Sequence, residues 1–207
     1  MNDERDIDMI AALAHAGIGK DAIEAVMAID AMMQQWRRRA AKRELGKRAL
    51  IDLDIGLDLA QLDVLTAIEA PRNEFGETGS DETMVATVAE RLGIDPSRAS
   101  RLASEMVEAG YAIRSVSQAD ARRTIIALTD SGRAVVDAVR TYKFLLMGDF
   151  MSNWSSEDLS RFVPLLQRFS VWTEESEQRK SRFEAEIGGL AARIAAERKA
   201  LELKKQA

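Results

Sequence analysis

The sequence predicts a mainly α-helical chain with one small β-hairpin, and three observations carry that expectation. Ala, Leu, Glu and Arg are abundant, whereas aromatic residues make up 5% and prolines number 3, a composition that favours helices over a sandwich or barrel. Apolar residues recur at three- and four-residue spacing along most of the 207 positions, the period of a helix with one buried face. Strict alternation is confined to "YAIRSVSQADARRTIIALT", Tyr111 to Thr129, where Tyr111 and Ile113, then Thr124, Ile126 and Leu128, flank a polar turn.

The elements follow in order. Residues from about Glu4 to Ala16 predict a short helix, with Ile7, Ile10, Ala11 and Ala14 at helical spacing and Gly17 and Gly19 behind it. From Asp21 a long helix carries Ile23, Val26, Met27, Ile29, Met33 and Trp36 as an apolar stripe and runs on into a basic block. That block, "WRRRAAKRELGKR", sets Arg37, Arg38, Arg39, Lys42, Arg43, Lys47 and Arg48 against Glu44 alone. It reads first as a solvated helix face beside a dimer seam, and second as a nucleic-acid contact. "LDLAQLDVLTAIEA" predicts another amphipathic helix through Leu59, Leu62, Leu65 and Ile68, ended by Pro71. The loop "PRNEFGETGSDE" after it reads as a surface connection and lacks the spacing of a phosphate cradle.

Beyond the hairpin, a long helix is expected from Asp130 past Val135, Val139 and Leu146, with a break near "MGDFMSNWSSED". Ser155 or Ser156 caps the next helix, whose apolar face is Leu159, Phe162, Leu165, Leu166 and Phe169, with Pro164 as a kink candidate. Phe183, Ile187, Leu190, Ile194 and Leu201 form a heptad seam in the tail, a candidate pairing helix weakened by Gly188 and Gly189.

The most specific signal lies in "VATVAERLGIDPSRASRLASEMVEAGYAIRS", Val85 to Ser115. Counted from Val85, Ala89 falls where two helices must cross closely and Gly93 falls in the turn between them. Val88, Leu92, Ile94, Ala99 and Leu102 are apolar at the positions that pack one helix on the other, which is the pattern of a helix-turn-helix. At about 100° per residue, Ala99, Leu102, Ala103 and Met106 share one side of the second helix. Ser97, Arg101, Ser104 and Glu108 lie opposite, flanked by Arg98 and Ser100. Pro96 suits the first helical position and Asp95 the cap. The helix thus offers free amides, hydroxyls and two guanidiniums N-terminus first, with its acids held back, and its simplest target is a DNA major groove. A hairpin directly after such a pair makes the winged form, and Arg122 and Arg123 lie at its tip.

"EAGYAIRSVSQADARRTIIALTDSGR" resembles the wing of the multiple antibiotic resistance regulator (MarR) family through Asp120, Arg122, Ile126, Leu128, Thr129 and Gly132. The resemblance spans roughly Asp21 to Trp172, and the tip without glycine, the longer loop before Val85 and the extensions at both ends depart from it. It implies a winged helix-turn-helix embedded in a helical dimerisation domain. Ser97, Arg98, Ser100 and Arg101 would face DNA, Arg122 would enter the neighbouring minor groove, and Asp120 would brace the wing arginine.

The expected DNA-binding set is therefore Ser97, Arg98, Ser100, Arg101, Ser104, Arg122 and Arg123. The expected divisions are an N-terminal helical extension at 1–19, a dimerisation helix with the basic block at 20–57, and the winged helix-turn-helix at 58–132. Dimerisation helices at 133–182 and a helical extension at 183–207 follow. The resemblance further implies a small aromatic effector, and Met33 and Trp36 are the weakly indicated ligand residues, since Met and aromatic stripes more often form core.

Other chemistries find little support. There are no cysteines and a single histidine, His15, so thiolate and multi-histidine metal centres within one chain are excluded. Carboxylates are scattered along charged faces, no nucleophile stands beside a base, and no cofactor motif is present. An enzyme is not expected. The acidic start "MNDERDIDMIAALAHAG" is not a secretory signal, and no apolar run is long enough for a membrane span, so a soluble cytoplasmic protein is expected. The net charge of −5 argues against a general nucleic-acid coat and leaves local charge to decide. The expected activity is transcription regulation by a homodimer on a pseudo-palindromic double-stranded operator. The competing expectation is an acidic winged-helix module that docks other proteins.

Overall fold

A computed structural model describes residues 4–69, 82–117 and 120–206. The loop expected at 71–82 lies, apart from Glu82, outside the described residues. The elements are α1 (Glu4–His15), α2 (Lys20–Lys42), α3 (Glu44–Asp52), α4 (Leu59–Ile68), α5 (Val85–Leu92), α6 (Pro96–Glu108), β1 (Ala112–Val116) and β2 (Thr124–Leu128). After them come α7 (Asp130–Ser152), α8 (Ser156–Ser170), α9 (Trp172–Lys180), a 3₁₀ turn (Ser181–Phe183) and α10 (Glu184–Gln206). The chain forms two compact units, one of residues 39–153 and one of residues 1–38 with 154–207.

In the first unit, α4, α5, α6 and the two strands close around Val64, Leu65, Val88 and Met106, which are fully buried. Leu102, Ala103, Ala112, Ile126, Leu128 and Val136 complete this core. Asp58 starts α4 with a reciprocal cap, its carboxylate accepting from the Gln61 amide at 2.8 Å while Gln61 Oε1 accepts from the Asp58 amide at 3.0 Å. At the end of α5 the Ile94 amide donates to the Ala89 carbonyl at 3.1 Å, and Gly93 takes the left-handed conformation with φ 60° that glycine adopts without steric cost.

Two sequence expectations need correction. The long second helix does not run through the basic block, because Arg43 turns left-handed (φ 52°) between α2 and α3. No glycine marks the break. Its guanidinium instead turns inward, donating to the Leu59 carbonyl at 3.2 Å and pairing with Asp63. Burial pushes the Asp63 carboxyl above its usual range, and the Arg43 charge pulls it partly back. The alternation in the first strand is also shifted by one residue. Tyr111 belongs to the closure of α6, its amide bonded to the Met106 carbonyl at 2.9 Å, so the strand begins at Ala112. Ala112 is buried and Ile113 is exposed.

The hairpin is antiparallel with Ala112 opposite Leu128 and Arg114 opposite Ile126. Thr83 adds a rung, its carbonyl accepting from the Ile126 amide at 2.8 Å. Thr83 in turn is held by Arg91, whose guanidinium donates to the Thr83 hydroxyl at 3.1 Å and to the Ala67 carbonyl at 2.7 Å. The expected boundary at 132/133 falls inside α7, whose first half packs on the winged core and on α3. Tyr142 of α7 donates to Asp52 of α3 at 2.6 Å, a bond that raises the phenol's pKa.

In the second unit, Ile23 of α2 is buried, while α8 runs through Pro164 with no buried residue. Ser155 caps α8 as expected, accepting from the Asp158 amide at 3.0 Å. Phe183, the expected start of the heptad seam, lies in the 3₁₀ turn before α10.

The tightest junction is at the start of α7. Thr129 caps that helix by accepting from the Gly132 amide at 3.1 Å, and its hydroxyl donates to the Gly110 carbonyl at 2.7 Å. A Cβ on Gly132 would sit 2.0 Å from the Tyr111 carbonyl oxygen. Gly132→Ala is therefore expected to lower the unfolding free energy by about 3 kcal/mol in denaturant titration. Gly148→Ala, on the same helix where an added Cβ meets nothing within 4 Å, is expected to be neutral or slightly stabilising. Equal behaviour of the two variants would show that the close approach does not constrain the fold.

Candidate nucleic-acid interface

Helix α6 buries Ala99, Leu102, Ala103 and Met106 against the core. The opposite side is therefore turned outward as a unit: Ser97, Arg98, Ser100 and Arg101 are exposed and Ser104 is half-buried. Proline at the first helical position presets the backbone, and Asp95 supplies the cap. That cap corrects the expectation of free amides at the helix start. The Asp95 carboxylate accepts from the Ser97 amide at 2.8 Å, from the Arg98 amide at 3.4 Å and from the Ser97 hydroxyl at 2.5 Å. These bonds, led by that of the Ser97 hydroxyl, hold the Asp95 carboxyl below its usual range.

The cations that remain are the guanidiniums. Among the described residues the Arg98 guanidinium has no hydrogen-bond or ion-pair partner. Arg101 lies 3.9 Å from Glu105 with 72% of its side chain exposed, a pair worth little in water and readily exchanged for a phosphate or a base edge. Ser104 is tied to the hairpin: its hydroxyl accepts from the Arg114 guanidinium of β1 at 2.8 Å and donates to the Ser100 carbonyl at 2.9 Å.

At the wing, Asp120 acts through the backbone. Its carboxylate accepts from the Arg122 amide at 3.0 Å, and its carbonyl accepts from the Arg123 amide at 2.9 Å, so Asp120 holds the main chain of both wing arginines. Arg122 is left exposed, and Arg123 reaches Met84 Sδ at 3.3 Å. Buried Ser117 accepts from the Asp120 amide at 3.0 Å and pins the turn from below. Sequence reasoning missed Arg114, Arg91, Thr83 and Ser117. None of the four carried a local signal, and the place of Arg114 opposite Ile126 follows only from the strand register.

The weakly indicated ligand residues separate. A cavity of about 1130 Å³ in the second unit is lined by Met32, Trp36, Phe162, Phe169 and Trp172 among others. Trp36 is on it, whereas Met33 is not among the lining residues. On α2, Ile29, Met32 and Trp36 share one stripe, and Met33 falls on its far flank. Among the described residues no cluster of three or more His, Asp or Glu side chains could hold a metal ion. None of their helices is long and apolar enough to cross a membrane.

Two packed helices with Ala89 buried, a tight turn at Gly93, an outward arginine face and a hairpin beside it define a winged helix-turn-helix protein. The MarR family model matches residues 55–123, which covers α4 through β1 and ends just before β2. Over that third of the chain the sequence is similar to the MarR family. Its fold is similar to that of a MarR family protein from Bacillus stearothermophilus, with 14% identity, a TM-score of 0.56, and 70% of this chain and 94% of that one covered. It is also similar to MarR family transcription regulator SP03579, with 17% identity, a TM-score of 0.56, and 81% and 98% covered. RV1404 from Mycobacterium tuberculosis shares 21% identity at a TM-score of 0.52, with 74% and 93% covered. No curated protein matches the sequence.

The cap on α6 makes the stability of that helix depend on pH. A folded-state pKa below the ordinary 3.8 means that the stabilisation is complete above that value and is lost as pH falls through the folded one. Asp95→Ala is expected to lower the melting temperature at neutral pH, and the gap to wild type should close at acid pH below 3.8. A gap that stays constant through the acid range would assign the loss to something other than the carboxylate.

Proposed function

We propose that the chain acts as a homodimeric, cytoplasmic MarR-type regulator that binds a pseudo-palindromic operator through two copies of α6 about one duplex turn apart. The observation that carries this reading is the outward face of α6, where Arg98 is unpartnered among the described residues and Arg101 is only loosely paired. Ser97, Ser100 and Ser104 share that region, Arg122 reaches into the flanking minor groove, and Arg123 contacts phosphate. Association of two copies is supported by apolar side chains left at the surface of the single chain: Phe144, Leu145 and Phe150 on α7, and Val163, Leu165 and Leu166 on α8. Repression is the expected mode, since an operator-bound dimer occludes the promoter it covers.

A small aromatic effector accompanies this proposal. The aromatic lining of the cavity in the second unit supports it, and Trp36 is the residue assigned to it. An effector shifts operator affinity only by its difference in affinity between the bound and released states.

The first test is fluorescence anisotropy with the protein's own upstream DNA and a scrambled duplex at two salt concentrations. Tight, salt-sensitive binding that prefers the upstream DNA is expected. Arg101→Ala should lose sequence preference with a penalty of about 1–3 kcal/mol, whereas Arg123→Ala should weaken both duplexes evenly and reduce the salt slope by about one. Weak, salt-insensitive binding to both duplexes would favour the protein-docking alternative. The effector has its own readout, because Trp36, Trp154 and Trp172 all lie in the second unit. An aromatic acid that releases DNA should quench tryptophan fluorescence, and Trp36→Phe should lessen the quench. Release of DNA without any change in fluorescence would place the effector elsewhere.

A further inference from the structure

Helix α6 carries three serines, Ser97, Ser100 and Ser104, on or beside its outward side. Their hydroxyls are not equivalent. A serine hydroxyl has one proton to donate and two lone pairs that accept. Ser104 Oγ lies 2.9 Å from the Ser100 carbonyl oxygen and 2.8 Å from a guanidinium nitrogen of Arg114. A carbonyl has no proton to give and a guanidinium has no lone pair to offer, so both roles are fixed. Ser104 donates to the carbonyl, accepts from Arg114, and keeps one lone pair.

Ser97 is in a similar position, because its proton goes to the Asp95 carboxylate at 2.5 Å. Among the described residues the Ser100 hydroxyl has no partner and keeps its proton. The outward side of α6 therefore donates through Arg98, Arg101 and Ser100 and only accepts at Ser97 and Ser104. In the major groove the acceptors are guanine O6 and N7, adenine N7 and thymine O4, and the donors are the adenine N6 and cytosine N4 amino groups. An accepting hydroxyl is mismatched to the first set and to phosphate oxygens.

We propose that Ser104 is a specificity residue that accepts from an adenine or cytosine amino group, and that Arg114 is the positioning residue that fixes this polarity from strand β1. The proposal rests on the reading of α6 as the recognition helix. Every base pair presents one amino and one keto group in the major groove, so Ser104 selects which strand carries the amino group: A over T, or C over G. Arg114 does this by occupying one lone pair and turning the proton toward the Ser100 carbonyl. Without it the hydroxyl is free to swivel and donate outward.

The test uses the full chain and its best-bound duplex, with each adenine of a half-site replaced in turn by purine and each cytosine by 2-pyrimidinone, which lack the amino group. At one position wild type is expected to lose affinity roughly five-fold or more, the scale of one hydrogen bond. Ser104→Ala should be indifferent to the deletion at that position alone. Where that base is an adenine, 7-deazaadenine, which removes the N7 acceptor and keeps the amino group, should be tolerated. Arg114→Ala should shrink the amino-deletion penalty at that same position, an effect that loss of a simple phosphate contact would not produce. The proposal is overturned if Ser104→Ala binds tightly and keeps the wild-type profile at every position, or if the 7-deaza substitution is the one coupled to Ser104. Failure of wild type to prefer any duplex would overturn the DNA-binding reading as well, so the two failures are distinguishable.

Discussion

The winged helix-turn-helix of this chain depends on the approach of Gly132 to the Tyr111 carbonyl. At that point the end of α6, the start of β1, the end of β2 and the start of α7 meet within one set of backbone bonds. The Thr129 amide donates to the Tyr111 carbonyl at 3.0 Å, while its hydroxyl bridges the Gly110 carbonyl and the Gly132 amide. Gly110, with φ 79°, lets α6 end abruptly enough for this to happen. The Leu128, Thr129 and Gly132 pattern, through which the sequence resembles the family, is thus explained by packing and capping. It ties the end of α6 to the first turn of α7.

The net charge of −5 says little about the interface because the fold sorts its arginines into two tasks. Arg43, Arg91 and Arg133 turn toward main-chain carbonyls, those of Leu59, Ala67 and Leu128 respectively, and stitch helices and strands together. Arg98, Arg101 and Arg122 point outward. A guanidinium suits both tasks, since its planar fork satisfies carbonyls without needing an anion and its charge cannot be titrated away. Only the outward group has its guanidiniums free of main-chain carbonyls and open to a new partner. A count of charges along the chain mixes the two, whereas burial of the helix face beneath separates them.

Much of the fold was legible because it rests on periodic signals. The three-and-four spacing located α4, α5, α6, α7 and α8, and Asp95, Ser155 and Gly93 marked real helix ends. The outward side of α6 followed directly from its apolar one. What escaped the sequence was set by tertiary bonds with no local signature. The break at Arg43 depends on Leu59 and Asp63, sixteen and twenty residues away. The strand phase was lost because Tyr111 closes a helix, so an alternation that includes it starts one residue early. Free amides at the start of α6 were inconsistent with a good cap at Asp95, since the carboxylate takes the protons that an anion would need. The Arg114 to Ser104 bond joins a strand to a helix across ten residues and could be foreseen only once the strand register was known.

The two units differ in how completely each satisfies its own apolar surface. The winged core closes over Val64, Leu65, Val88 and Met106. In the other unit α8 buries none of its residues, and Leu165, Leu166, Trp36 and Trp172 stay at least two-fifths exposed. A helix with an apolar face gains little from its own propensity and depends on covering that face. These helices are therefore stabilised by whatever covers them, and on the homodimer reading that cover is a second copy. Affinity for an operator and stability of the helical base then become linked quantities. On the effector reading, a ligand in the aromatic cavity would act on the unit whose apolar faces are less completely covered, where a modest binding free energy can shift an equilibrium. In the closed winged core the same free energy would have far less to move.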